Sequence, residues 1–223
     1  MRKSKLELLR EAKRAKTKQV ETDLDGLFRL ILGGEFNPTQ KAFIYSPERI
    51  KGYKGPAGCA KTSTICAAGL TRALLQPGSK GLVSRYVYND LMDTTALRLE
   101  EMISKLPKGT LVDRDKSPPM KWWIQSASKD GEVSQLTFMG LKDALGSYEF
   151  NWAIVDEADE VDEARVHEIN TRLRNKGGDY MIALAFNPPD KHHWLYTAAT
   201  GRDFQERKIK EPWMTLFEPQ SKE

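Results

Sequence analysis

The sequence predicts an α/β fold: a mainly parallel central sheet flanked by helices, with an antiparallel hairpin and an N-terminal helical segment. Three observations carry this expectation. Short apolar runs alternate with helical stretches, as strands joined by crossovers do. The string "GPAGCAKTS" (55–63) stands between one strand candidate and a good helix. Two further runs, in "WAIVDEADE" (152–160) and "ALAFNPP" (183–189), end on polar residues, where strands of such sheets open into a ligand crevice.

Taken in order, residues 3–33 read as helix, because Leu6 and Leu9, then Leu24, Leu27, Leu30 and Ile31 recur at three- and four-residue steps until Gly33-Gly34. Pro38 suits a helix start, and the stretch closes at Pro47. "RIKGYKG" (49–55) must supply the strand before the loop, although its composition is poor for a buried strand. Residues 61–75 form a helix of small and aliphatic residues, "LVSRYV" (82–87) a β-branched strand, and 90–106 a second helical stretch. Residues 108–120 read as loop. Apolar and polar residues then alternate on both sides of Asp130-Gly131 within 121–140, the mark of a hairpin, and Trp122-Trp123 reads as packing within it. After it come a buried strand over 150–160, a helix over 163–178 ending at Gly177, and a strand over 179–189 stopped by two prolines.

With 223 residues, 39% hydrophobic and 30% charged, the chain can bury a core. No apolar run approaches the roughly 18 residues of a membrane span, and the N-terminus lacks the apolar core of a secretory signal. A cytoplasmic protein is expected. Cys59 and Cys66 make neither a disulfide framework nor a metal site. The net charge of +4 is unevenly spread: residues 1–18 hold eight Lys or Arg against two Glu, hence +6, and the remainder totals −2. A broad basic surface for nucleic acid is therefore not indicated.

"GPAGCAKTS" departs from the phosphate-loop pattern G-x-x-x-x-G-K-[ST] at one place, where Ala60 replaces glycine. Phosphate binding needs inward backbone N–H groups, a helix N-terminus, a lysine for the β and γ phosphates and a hydroxyl for magnesium. Gly55, Gly58, Lys61 and Thr62 offer these, and the whole stretch Gly55, Pro56, Ala57, Gly58, Cys59, Ala60, Lys61, Thr62 and Ser63 is the candidate nucleotide-binding loop. Ala60 is harmless there provided its φ stays negative. "WAIVDEADE" supplies the second element that such an ATPase requires: Asp156 to bind Mg²⁺, generally through water, and Glu157 to orient and deprotonate the attacking water. Asn187 ends the later strand, able either to bond a γ-phosphate or water, or simply to open an Asn-Pro turn. Together these give a P-loop NTPase of the RecA/ASCE-like kind, with ATP and Mg²⁺ as ligands.

The order "TQKAFI", "GPAGCAKTS", "LVSRYVYNDL", "KWWIQ", "FMGLKDA", "AIVDEADEVDE", "INTRLR", "AFNPPDKHHWLY" resembles the ATPase domain of the phage large terminase subunit, over roughly residues 36–200. The resemblance implies a motor that translocates double-stranded DNA into a procapsid, contacting phosphates without sequence preference. It implies a homo-oligomeric ring when assembled, with a monomer as the alternative in isolation, portal and small-subunit partners, and the cytoplasm of an infected bacterial host. Gln40 would read adenine, Lys61 and Thr62 would be the Walker A lysine and hydroxyl, Asp156 and Glu157 the Walker B pair, and Asn187 the coupling residue. The expected division is a basic helical segment (1–35), the ATPase domain (36–205) and a tail or linker (206–223); the family's plan adds a metal-holding nuclease domain, for which this length leaves no room, so no DNA cleavage by these residues is expected.

The family often places an arginine where Ala57 stands, and a basic residue about ten positions before the Walker B Asp, where only Lys142 is available. An arginine finger is thus unassigned among Arg172, Arg174 and Arg202, and the role of Arg85 is open. Two alternatives stand beside the motor: a nucleotide-binding scaffold with little turnover, and a superfamily 2 helicase fragment, suggested by the literal "DEAD" at 156–159.

Overall fold

The computed structural model describes residues 24–127, 132–176 and 179–219. Among these, eight strands form one sheet: β1 (Ile50–Lys54), β2 (Lys80–Arg85), β3 (Leu111–Asp115), β4 (Lys121–Gln125), β5 (Val133–Gly140), β6 (Trp152–Val155), β7 (Met181–Phe186) and β8 (Thr215–Phe217). Their order across the sheet is β3-β4-β5-β2-β6-β7-β1-β8. From β5 to β8 every neighbouring pair is parallel, and β4 runs antiparallel to β3 and β5. The mainly parallel sheet and the hairpin are as the sequence predicts.

Helices cover both faces, so each central strand is apolar on both sides. On one face lie α1 (24–32), α2 (Pro38–Tyr45), α3 (Lys61–Leu75) and α5 (Leu97–Ser104), whose Phe28, Phe43, Ile65 and Leu99 pack on Tyr53, Val83 and Ile154. On the other, Val166 and Ile169 of α6 (Glu163–Arg172) and Leu195 of α7 (Trp194–Thr200) pack on Leu82, Val155 and Leu184. Successive β2 residues Leu82 and Val83 belong to opposite cores, as the two-residue strand period requires. A short helix, α4 (Tyr88–Leu91), joins α5 through a π-helical turn, Met92–Ala96.

β1 is buried despite its composition because Lys51 has partners inside. Its fully buried ammonium donates to the carbonyls of Phe43 (2.7 Å), Ser46 (3.1 Å) and Ile44 (3.4 Å), at the C-terminal end of α2. Those are the carbonyls a helix end leaves without intrahelical donors.

Three sequence expectations are corrected. The stretch read as loop contains β3, an edge strand whose mainly exposed side chains give no apolar alternation; backbone pairing to β4 and Arg114 over the Trp122 ring (4.6 Å) hold it. α6 ends at Arg172 rather than Gly177, because Leu173 leaves helical geometry and bridges Phe150. Thr215–Phe217, within the expected tail, is β8 and pairs with β1. The basic segment 1–18, the Asp130-Gly131 turn and Gly177 lie outside the described residues. Among the described residues, both cysteines are free, and no helix is long and apolar enough to cross a membrane.

Candidate active site

The strand order β6-β7-β1 determines how the site assembles. β1 leads into the loop, β6 ends before Asp156, and β7, which lies between them, ends before Asn187. All three discharge at the same, C-terminal edge of the sheet, so Asn187 falls between the loop lysine and the acids.

The loop from Gly55 to Ala60 turns sharply into α3. Gly55 continues the pairing with β7 (N to Phe186 O, 3.3 Å), and a Cβ there would meet the Cys59 sulfur at 2.4 Å, so a larger residue would require the Cys59 side chain to move. Gly58 adopts φ +83°. Pro56, Ala57, Gly58 and Ala60 are exposed. Ala60, at the N-cap of α3, has φ 61° and ψ 28°. The condition that φ stay negative is therefore not met: the turn needs left-handed backbone here, and alanine occupies it at a cost of roughly 1 kcal/mol. Glu157 is also left-handed (φ 48°), so two of the three non-glycine residues with positive φ among the described residues belong to this site.

Lys61 is almost buried, yet among the described residues its ammonium donates only to neutral acceptors, the carbonyl of Pro56 and Oδ1 of Asn187, both at 3.0 Å. A cation so placed fits a phosphate. Thr62 donates to Oδ1 of Asp156 (3.1 Å), and Asp156 is 2% exposed. Among the described residues no cluster of three or more His, Cys, Asp and Glu could hold a metal. The hydroxyl–carboxylate pair fits Mg²⁺, which takes one or two protein oxygens and completes its shell with phosphate and water. Burial raises the pKa of Asp156, against hydrogen bonds from Thr95 and Thr62 that lower it. Burial also raises that of Glu157, assisted by the charges of Asp156 and Asp159, which moves a carboxylate toward the range useful to a general base.

Asn187 connects these parts. Its Nδ2 donates to Glu157 (2.9 Å) and Asp159 (3.2 Å), and its backbone N–H donates to Asp159 (3.3 Å). Behind them, the N-terminus of α7 is fixed to the same turn by Trp194 donating to the Val161 carbonyl (2.8 Å) and by the His193 ring against the Asp159 carbonyl (3.1 Å).

The remaining candidates are more scattered. Gln40 is buried in a capping box with Asn37 and donates to Thr64 of α3 at 3.0 Å. Beside it, a groove of about 590 Å³ runs between Pro38 and Thr39 of α2 and Phe217–Pro219. Ser63 accepts from Arg98 (2.9 Å), and Arg85 pairs with Glu160 (3.4 Å). Arg172 and Arg174 lie by Phe150 and Glu149, ahead of β6 and so at the opposite edge of the sheet from this site. Arg202 donates to the Glu206 carbonyl beyond α7. Lys142 comes after β5, at the site's edge of the sheet.

The family profile described as "Phage terminase large subunit" matches residues 48–213. This chain belongs to the phage terminase large subunit family. Solved terminases share its fold. The large terminase of a thermophilic bacteriophage superposes with a TM-score of 0.66 at 15% identity, covering 82% of this chain and 45% of that one. The ATPase domain of the Thermus phage P74-26 large terminase gives 0.59 at 14%, covering 85% and 83%. The HK97 bacteriophage large terminase gives 0.60 at 13%, covering 82% and 39%. The chain thus spans less than half the length of the first and last of these proteins. The first has also been solved with ATP-gamma-S and with ADP. Curated protein sequences yield no match.

Asp159 and Thr95 were not among the sequence candidates. Asp159 is visible in hindsight: three residues after Asp156 on a 3₁₀ turn (Ala158–Glu160), it returns to the same side. No local signal marks Thr95.

Proposed function

We propose that this chain is the ATP-hydrolysing motor domain of a large terminase, coupling hydrolysis to movement of double-stranded DNA into a procapsid. The observation that carries the reading is the meeting of Lys61, Thr62–Asp156, Glu157 and Asn187 at one sheet edge. The loop N–H groups and Lys61 hold the β and γ phosphates, and the base lies toward α2 and Gln40. Thr62 and Asp156 hold Mg²⁺, which when bound neutralises charge on the transferred phosphoryl group. Glu157 accepts the proton of the attacking water. Asn187, released by Lys61 as the lysine turns to phosphate, orients that water or the γ-phosphate and passes its presence to α7. In this reading the chain works in a homo-oligomeric ring with portal and small-subunit partners in the host cytoplasm, and the ring supplies the missing arginine.

Steady-state ATPase with and without double-stranded DNA, for wild type and Glu157→Gln, tests this. Wild type should turn over and be stimulated by DNA, while the variant binds nucleotide but loses at least about 10²-fold in rate. DNA stimulation should fall steeply as salt rises, since the contacts are to phosphates. Equal activity of wild type and variant in every mixture, including at high protein concentration, would end the motor reading.

A further inference from the structure

Asp156 has both carboxylate oxygens engaged, and they are served from different elements. Oδ1 accepts from Thr62 (3.1 Å) and from the Glu157 backbone N–H (3.2 Å), both parts of the nucleotide site itself. Oδ2 accepts from the hydroxyl of Thr95 at 2.7 Å. Thr95 is 0% exposed and belongs to the π-helical turn Met92–Ala96, remote in sequence from either motif.

We infer that Thr95 is a positioning residue for the metal-holding carboxylate, and that the π turn exists to deliver it. A π turn takes in one more residue than an α turn, which rotates every later residue by about 100° relative to an uninterrupted helix. Here it brings two consecutive threonines to the Walker B turn. Thr95 reaches Asp156 from the buried side. Thr94 donates to the Asp90 carbonyl (2.6 Å) and accepts from Arg85 (3.4 Å), which itself pairs with Glu160. The segment Asp156–Glu160 is therefore held at both ends by the same turn of helix.

The division of labour is set by which oxygen each partner uses. If Thr62 and Asp156 hold a magnesium ion, the Thr95 bond to Oδ2 fixes the carboxylate plane from the side opposite to the Glu157 N–H bond on Oδ1. Partners of this kind, outside the metal's own shell, typically alter metal affinity by about 10- to 100-fold when removed. The inference rests on the reading of Asp156 as the Mg²⁺-holding residue.

The test uses the full chain and a fluorescent ATP analogue, with its affinity measured without metal and across a Mg²⁺ titration, for wild type, Thr95→Val, Thr95→Ala and Thr95→Ser. Val keeps the shape and removes the hydroxyl, Ala removes both, and Ser keeps the hydroxyl. We expect Val and Ala to raise the Mg²⁺ concentration for half-maximal enhancement about tenfold or more, with metal-free affinity within about twofold of wild type. Ser should restore the wild-type titration. Thermal melting of each variant identifies those that fold, and the comparison is read from them; a folded Ser variant shifted as far as one without the hydroxyl would already contradict the assignment. Equal shifts with and without metal, or no shift in a folded Val or Ala variant, would overturn it while leaving the nucleotide site intact. A wild type whose analogue binding ignores Mg²⁺ would overturn both this inference and the reading on which it rests.

Discussion

The ammonium of Lys61 and the side-chain oxygen of Asn187 lie 3.0 Å apart although 126 residues separate them in sequence. The same amide donates to Glu157, so one residue engages both the loop lysine and the carboxylate proposed as catalytic base. Asn187→Ala should therefore separate binding from turnover. We expect kcat to fall about 10²-fold, the scale of losing one placed hydrogen-bond group, with nucleotide affinity kept or slightly increased because Lys61 no longer has to leave an acceptor. Parallel measurement of kcat and equilibrium nucleotide binding checks this; equal losses in both would refute it.

Ala60 sits in left-handed backbone at the start of α3. Relief of that strain should outweigh the extra freedom glycine brings to the unfolded chain, so Ala60→Gly should stabilise by at most about 1 kcal/mol. For a chain of this size the melting temperature should rise, by at most about 2–4 °C. Calorimetry of the two proteins decides the matter, and a lower melting temperature for the glycine variant would contradict the loop geometry.

Lys51 gives a pH dependence. Burial brings its pKa from the ordinary 10.5 down to about 7. Below pH 7 both folded and unfolded chains carry the proton. Between about 7 and 10.5 the folded chain has released it and the unfolded chain has not, so this group adds stability as pH rises through that window. Lys51→Met should lose the three carbonyl contacts, costing about 1–3 kcal/mol, and should flatten the rise. Urea unfolding at pH 6, 8 and 9.5 measures both effects; a wild-type advantage that shrinks with rising pH would contradict the assignment.

The candidate site was legible in the sequence to the extent that its residues stand at local landmarks. Lys61, Thr62, Asp156, Glu157 and Asn187 each stand at the end of a strand or the start of a helix, and an apolar run leading to a polar residue announces such places. The hidden part arises from pairing at a distance. Nothing in "LVDRD" shows that β3 will be an edge strand, because its backbone, not its side chains, is what pairs. The strand character of β1 was obscured by Lys51, whose three acceptors lie in another element. Thr95 meets Asp156 only because a helix takes in an extra residue, and the sign of φ at Ala60 is a property of the turn that residue identity does not reveal.

β8 lies parallel to β1, with Lys51, Gly52 and Tyr53 opposite Thr215, Leu216 and Phe217, and Glu218 pairs with Lys54 at 2.8 Å just before the Gly55–Ala60 loop. Hydrogen bonds in a parallel ladder are evenly spaced along the strands. A pull applied beyond Phe217 along the strand axis is therefore shared by the whole ladder in shear instead of opening it one bond at a time. It is delivered to the strand that carries the loop. The C-terminal edge of this sheet is, in mechanical terms, a lap joint: tension in the chain after β8 and displacement of the Gly55–Ala60 loop are borne by the same few bonds.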